Sequence, residues 1–163
     1  MRRLNKKDVK FIVVHCSDTR PGQPCNAEII DAWHRARGFE MIGYHYVILP
    51  DGEVEYGRPL YYQGAHVGTP KNYNNQSIGV CYVGGRNAQG ETADTRTVAQ
   101  KKALLFLLWD LKKRFPDALI VGHRELNKGK ACPCFNATAY NRFLDMRASE
   151  QIRIAALEPD YLP

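Results

Sequence analysis

Two kinds of apolar pattern alternate along this chain. Val9 to Cys16 is apolar and β-branched with little alternation and ends in the loop residues SDTRPGQP, which predicts a strand buried on both faces. Ile29, Ile30 and Trp33 then recur at helical spacing, with Asn26 as N-cap, Glu28 in the first turn and Gly38 as a stop. GYHYVILPDGEVEYG holds two short strand-favouring runs around Pro50-Asp51-Gly52, a β-hairpin signature. Tyr61 to Gln76 is rich in Gly, Asn, Tyr and Thr without period and predicts a long surface loop carrying His66, of a length more often functional than idle. SIGVCYVGG predicts another buried strand, followed by the loop RNAQGETAD. Val98, Leu104, Leu105, Leu108 and Leu111 predict a helix over Thr97 to Phe115 that Pro116 ends. ALIVGH predicts a last strand, and a final helix starts around Asn136 to Ala139 and runs toward Ala156.

The order β α β β β α β α has no regular βαβ repeat. It predicts a mixed α/β fold with a central mixed β-sheet of about five strands flanked by helices. Without internal repeat or linker, residues 1–163 read as a single domain, with a basic arm over 1–8 and a C-terminal tail over 148–163.

Apolar residues at 44% and charged residues at 25% fit a soluble globular chain. MRRLNKK begins like a signal peptide, but Asp8 and Lys10 interrupt it and the apolar run FIVV is short. Ala103 to Trp109 is too short to cross a bilayer. The expectation is synthesis in the cytoplasm without a signal peptide, and no membrane anchor. A net charge of +6 favours an anionic partner: nucleic acid, a membrane surface or an acidic wall polymer. Nucleic acid is excluded because Lys101-Lys102 and Lys112-Lys113-Arg114 flank an apolar helix core instead of alternating with stacking aromatics. Five cysteines without framework spacing suggest a reducing compartment, leaving a Cys16–Cys25 or Cys132–Cys134 disulfide open.

The densest chemistry is GHRELNKGKACPC, Gly122 to Cys134. A structural zinc finger needs two close ligand pairs, and no CxxC exists. A thiol nucleophile with His123 as base lacks a strand-to-helix elbow to present it. An open catalytic zinc site needs three protein ligands. His15 ends the first strand and His123 the last; if those strands are neighbours, both imidazoles emerge at one sheet edge and Cys132 completes the set. The spacing alone leaves this reading beside that of ordinary polar strand ends. Cys16, on the face opposite His15, and Cys81 read as core. Cys134, two residues past Cys132, points the other way, and His34 reads as a surface or boundary residue. Glu125 reads as a surface ion pair in preference to an orienting partner of His123, and no HExxH supplies a helix base.

The blocks FIVVHCS, GYHYVI, GAHVGTPKNYNNQSIGVCYVGG and GHRELNKGKACPCF, in this order, resemble the short amidase endolysins of tailed phages and, more broadly, the zinc amidases that share a fold with peptidoglycan-recognition proteins. The likeness covers roughly Lys10 to Phe143. It implies a zinc-dependent N-acetylmuramoyl-L-alanine amidase, a phage or prophage endolysin that cuts the lactyl–L-alanine amide of peptidoglycan and acts at the cell wall or periplasm after release, as a monomer. It also implies Zn²⁺ ligands at His15, His123 and Cys132, and catalytic groups at Tyr44, chosen over its neighbour His45, and at Lys130. His66, Asn74 and Asn75 are candidate substrate contacts, with loop capping or turn formation as their alternative roles. The loop between His123 and Cys132 is one residue longer than in close relatives, within NKG, so the place of Lys130 depends on that bend. The rival functions are a non-catalytic peptidoglycan-binding module of the same fold, against which Cys132 speaks, and a regulator that binds another protein through its basic arm or its tail.

Overall fold

The structure is a computed structural model and describes residues 1–145. Its sheet has five strands: β1 (Phe11–Cys16), β2 (Tyr46–Ile48), β3 (Val54–Tyr56), β4 (Ser77–Tyr82) and β5 (Leu119–Gly122), in the order β3-β2-β4-β1-β5. All neighbours run parallel except the edge hairpin β2–β3, so the sheet is mixed, as the element order predicts. The helices are α1 (Ala27–Ala36), α2 (Val98–Arg114), α3 (His123–Leu126) and α4 (Ala139–Leu144). Any continuation of α4 toward Ala156, and the tail, lie outside the described residues.

The register of β1 fixes the site. Its side chains alternate between faces, and both faces are covered. Ile12, Val14 and Cys16 join Leu104, Leu108 and Leu111 of α2 in the main core, while Val13 packs with Val67 and Val121 in a separate cluster. His15, alternating with Val14, is therefore turned away from α2. β1 and β5 are neighbours, with Val14 opposite Gly122, so His123 begins directly beside the end of β1. This C-terminal edge of a parallel sheet is where open α/β folds place ligands.

The predicted cap at Asn26 forms, and α2 carries a cap of its own that its apolar repeat does not announce. Asn26 Oδ1 accepts from the Ile29 amide at 2.8 Å, and Thr97 and Gln100 make a reciprocal capping box. Gln100 also donates from Nε2 to the carbonyls of Ile48 and Val83, fixing α2 to the sheet.

The segment Tyr61 to Gln76 departs from the surface loop that its composition predicts. Its middle folds inward: Val67 is fully buried, His66 is 9% exposed, and the Ala65 amide donates to Gly43 O. Glycine makes room for it, since a Cβ on Gly79 in β4 would sit 2.7 Å from the His66 ring. The turn over Asn74–Gln76 returns the chain to β4.

Candidate metal centre

At the C-terminal edge of β1 and β5 three side chains converge. The ligating atoms of His15, His123 and Cys132 all lie within 4.8 Å of one another, and this is the cluster of metal-binding side chains found among the described residues. His15 comes from β1. His123 opens α3, a short helix that sequence periodicity misses; Glu125 caps it by accepting from the Gly122 amide at 2.6 Å. Glu125 also pairs with Arg124 at 3.0 Å, the ion pair expected of it. Cys132 is carried back by a loop whose closure is a hydrogen bond from the Arg124 amide to Cys132 O at 2.9 Å.

The sulfur of Cys132 lies 3.8 Å from His15 Nδ1 and accepts from the Cys16 amide at 3.2 Å. His15 Nδ1 thus faces the cluster, and the opposite nitrogen, Nε2, meets His66 Nδ1 at 2.9 Å. A cation on Nδ1 requires the proton on Nε2, which His66 Nδ1 then accepts, so His66 holds both the tautomer and the ring plane. His66 is held in turn by Asn74, whose Oδ1 accepts from the His66 and Val67 amides at 2.8 and 2.9 Å. The inward course of the loop and the grip of Asn74 are therefore one feature. Asn75 is exposed.

Electrostatics favour a cation site of neutral imidazoles. Burial, then the neighbouring His66, holds the pKa of His15 well below the ordinary histidine value; burial does the same for His66. His123 is lowered by burial and then by the charge of Lys130. Two neutral imidazoles and a sulfur are the donor chemistry that a zinc-type ion takes. The residues fit the group.

Around the centre opens a cleft of about 850 Å³ whose walls include Trp33, Arg37, Tyr44, His66, Lys130 and Cys132. The Tyr44 ring lies 5.0 Å from that of His15, and burial pushes its phenol well above the ordinary tyrosine value, keeping the hydroxyl a donor. Its neighbour His45 points elsewhere, accepting from the Gly79 amide and donating to Tyr62 O. The bend of the longer loop is a turn over Asn127 to Lys130, closed by the Lys130 amide on Asn127 O, with Asn127 Nδ2 tied to Thr69 O; Lys130 lines the cleft.

Two residues differ from their sequence reading. His34 is buried at 5% exposure instead of lying at the surface, because its Nδ1 accepts from the Gly43 amide at 2.8 Å and its ring packs 5.3 Å from Tyr44. Cys16 belongs to the core as expected, but its sulfur also lies 3.7 Å from that of Cys134, a pairing that neither disulfide left open by the spacing anticipates; all five cysteines are free thiols. A hydrogen bond with Cys132 is the main cause that pushes the Cys16 thiol up to about 12. Sequence reading also misses the Asp18–Arg86 ion pair at the cleft, 2.8 Å long, since the two residues stand in loops that only the parallel β1–β4 pairing brings together.

A family model described as N-acetylmuramoyl-L-alanine amidase matches residues 5–135. The chain is 41% identical over 131 residues to an endolysin of Escherichia phage T7, covering 80% of this chain and 84% of the relative. It is 39% identical over 131 residues to an endolysin of Klebsiella phage KP32, with the same coverage of 80% and 84%. Among solved structures, the N-acetylmuramoyl-L-alanine amidase LysC from Clostridium intestinale URNW superposes with a TM-score of 0.71 over 88% of this chain and 91% of that chain at 24% identity, a likeness of fold.

Proposed function

This chain belongs to the N-acetylmuramoyl-L-alanine amidase family, and we propose that it is a phage or prophage endolysin whose one catalytic domain works as a monomer with a single zinc ion held by His15, His123 and Cys132. Its substrate is peptidoglycan, and the bond it hydrolyses is the amide between the lactyl group of muramic acid and the L-alanine of the stem peptide. The observation that carries the zinc reading is the convergence of three ligand atoms within 4.8 Å, with His123 and Cys132 on the wall of a cleft large enough for a muropeptide and His15 buried behind them.

When bound, the ion would supply Lewis acidity, polarising the scissile carbonyl and lowering the pKa of a water toward about 7. The chain supplies the rest. His66 and Asn74 keep the His15 ring in one tautomer and one orientation. Tyr44 offers a phenol that stays protonated, and Lys130 an exposed ammonium, both toward the negative charge that builds on the carbonyl oxygen as the tetrahedral species forms. Arg37 and Lys130 on the cleft walls attract the carboxylates of stem peptides. His66, Asn74 and Asn75 are substrate contacts in the sequence reading; for His66 and Asn74 the hydrogen bonds favour a positioning role, and Asn75 keeps its side chain available at the surface.

A non-catalytic binding module would not need a sulfur ligand beside the two imidazoles. Among the described residues no helix is long and apolar enough to cross a membrane. The protein acts on the cell wall after leaving the cytoplasm.

The test is release of stem peptides from purified peptidoglycan, with and without a chelator, for the parent chain and Lys130→Ala. Chelation should abolish release and added zinc restore it. Lys130→Ala should slow release about a hundredfold, roughly 3 kcal/mol of lost transition-state stabilisation. Because Lys130 is exposed, its Tm should stay put. Unchanged release by Lys130→Ala would remove the lysine from the reaction, and release insensitive to chelator would remove the metal.

A further inference from the structure

Cys134 follows Cys132 by two residues yet sends its sulfur to a different place. Its backbone is left-handed, with φ at 73°, a conformation that a non-glycine residue adopts at a cost. That conformation sets Cys134 Sγ 3.7 Å from Cys16 Sγ and 3.5 Å from Gly85 O. Gly85 is the floor of this pair: a Cβ there would lie 2.6 Å from Cys16 Sγ and 3.6 Å from Cys134 Sγ, so a residue without a side chain leaves room for two sulfurs. Both cysteines line the cleft, and Cys134 is half-buried, so a small reagent reaches it.

We propose that Cys16 and Cys134 form a dithiol site that a low-molecular-weight disulfide oxidises to a Cys16–Cys134 cross-link, tying the end of β1 to the loop that carries Cys132. The exchange balances. The Cys134 sulfur attacks one sulfur of the reagent, giving up its proton as the new bond forms, and the reagent's S–S bond breaks and releases one thiol. The Cys16 sulfur, 3.7 Å away, then attacks the mixed disulfide at Cys134, giving up its proton, and releases the second thiol. Two protein thiols lose two electrons, the reagent gains them, and the two protons leave with its thiols. The sulfurs need approach by less than about 2 Å in total to reach bonding distance.

Cys132 is set apart from this chemistry although it is near. Its sulfur faces His15 Nδ1 and accepts the Cys16 amide, so a cation held there engages it and leaves Cys16 and Cys134 as the reactive pair. The cross-link spans 118 residues of sequence and restrains the unfolded chain strongly. It would form in an oxidising envelope and stay open in a reducing cytoplasm.

The experiment incubates the full-length protein, supplemented with equimolar zinc, in an excess of oxidised glutathione for several hours. Remaining thiols are then blocked with N-ethylmaleimide and the chain is digested without reductant for mass spectrometry. The expected result is loss of two of the five thiols, a linked peptide pair joining Cys16 to Cys134, and a Tm higher by roughly 10 °C that dithiothreitol reverses. Cys134→Ser should yield no such pair and no shift. A link through Cys132 or Cys25, a glutathione adduct that never closes, or five intact thiols would overturn the proposal; mapping of the parent chain decides among them without any variant.

Discussion

Replacing Cys132 with alanine is expected to lower stem-peptide release from peptidoglycan by at least about a thousandfold while the fold survives. The sulfur is the one member of the cluster that stands on a loop and is only partly buried, whereas His15 is 1% exposed in the middle of the sheet edge. Cys132 sits at the margin of the main core, so truncation there removes a ligand at a smaller packing cost than truncation at His15 would. The polar contacts of its sulfur are the Cys16 amide, which loses one acceptor, and His15 Nδ1. With two imidazoles left, the cation is held weakly and the Lewis acidity is lost, which costs at least about 4 kcal/mol in the barrier. Initial rates on purified peptidoglycan, together with circular dichroism and bound zinc per chain, check this. A folded variant that binds no zinc and still cuts at the parental rate would refute the assignment of the ligand.

Acidification from pH 7 to pH 5 is expected to destabilise the protein sharply. All five histidines have their pKa lowered in the folded state, each chiefly by burial: His15, His34, His45, His66 and His123. A histidine with a depressed folded pKa stays neutral in the native chain while the unfolded chain takes up a proton from about pH 6.5 downward. Its stabilisation is thus fully present above about pH 6.5 and is lost as pH falls toward the folded pKa. For His34 and His45, held at about 4, the window runs from about 6.5 to about 4 and each contributes about 3 kcal/mol. His15 and His66 act in the same direction, and a cation on His15 and His123 adds to it because ligation also needs neutral rings. The two with stated values already match much of a typical domain's stability. Thermal unfolding should show Tm falling by at least about 10 °C between pH 7 and pH 5. A flat profile over that range would mean that these rings are not held neutral by burial.

Strands and long helices were legible because each is set by a local period: the apolar run of β1, the hairpin around Asp51-Gly52 and the apolar repeat of α2 needed no tertiary information. His15 and His123 could be placed at a shared edge only on the condition that β1 and β5 pair, and the parallel register meets that condition. The loop with His66 was not legible. Its composition is that of a surface segment, and what pulls it inward is the space over Gly79 and the grip of Asn74 on two amides, both long-range facts. The burial of His34 likewise depends on the Gly43 amide, which arrives from outside the helix. Cys134 needed the left-handed turn at its own backbone, which periodicity does not encode.

Zinc K-edge X-ray absorption on protein reconstituted with one equivalent of the metal bears most directly on the shared cation at His15, His123 and Cys132. The expected spectrum contains one sulfur at about 2.3 Å and two imidazole nitrogens at about 2.0 to 2.1 Å, with the sulfur shell vanishing in Cys132→Ala. A first shell made of oxygen and nitrogen alone in the unsubstituted protein would contradict it.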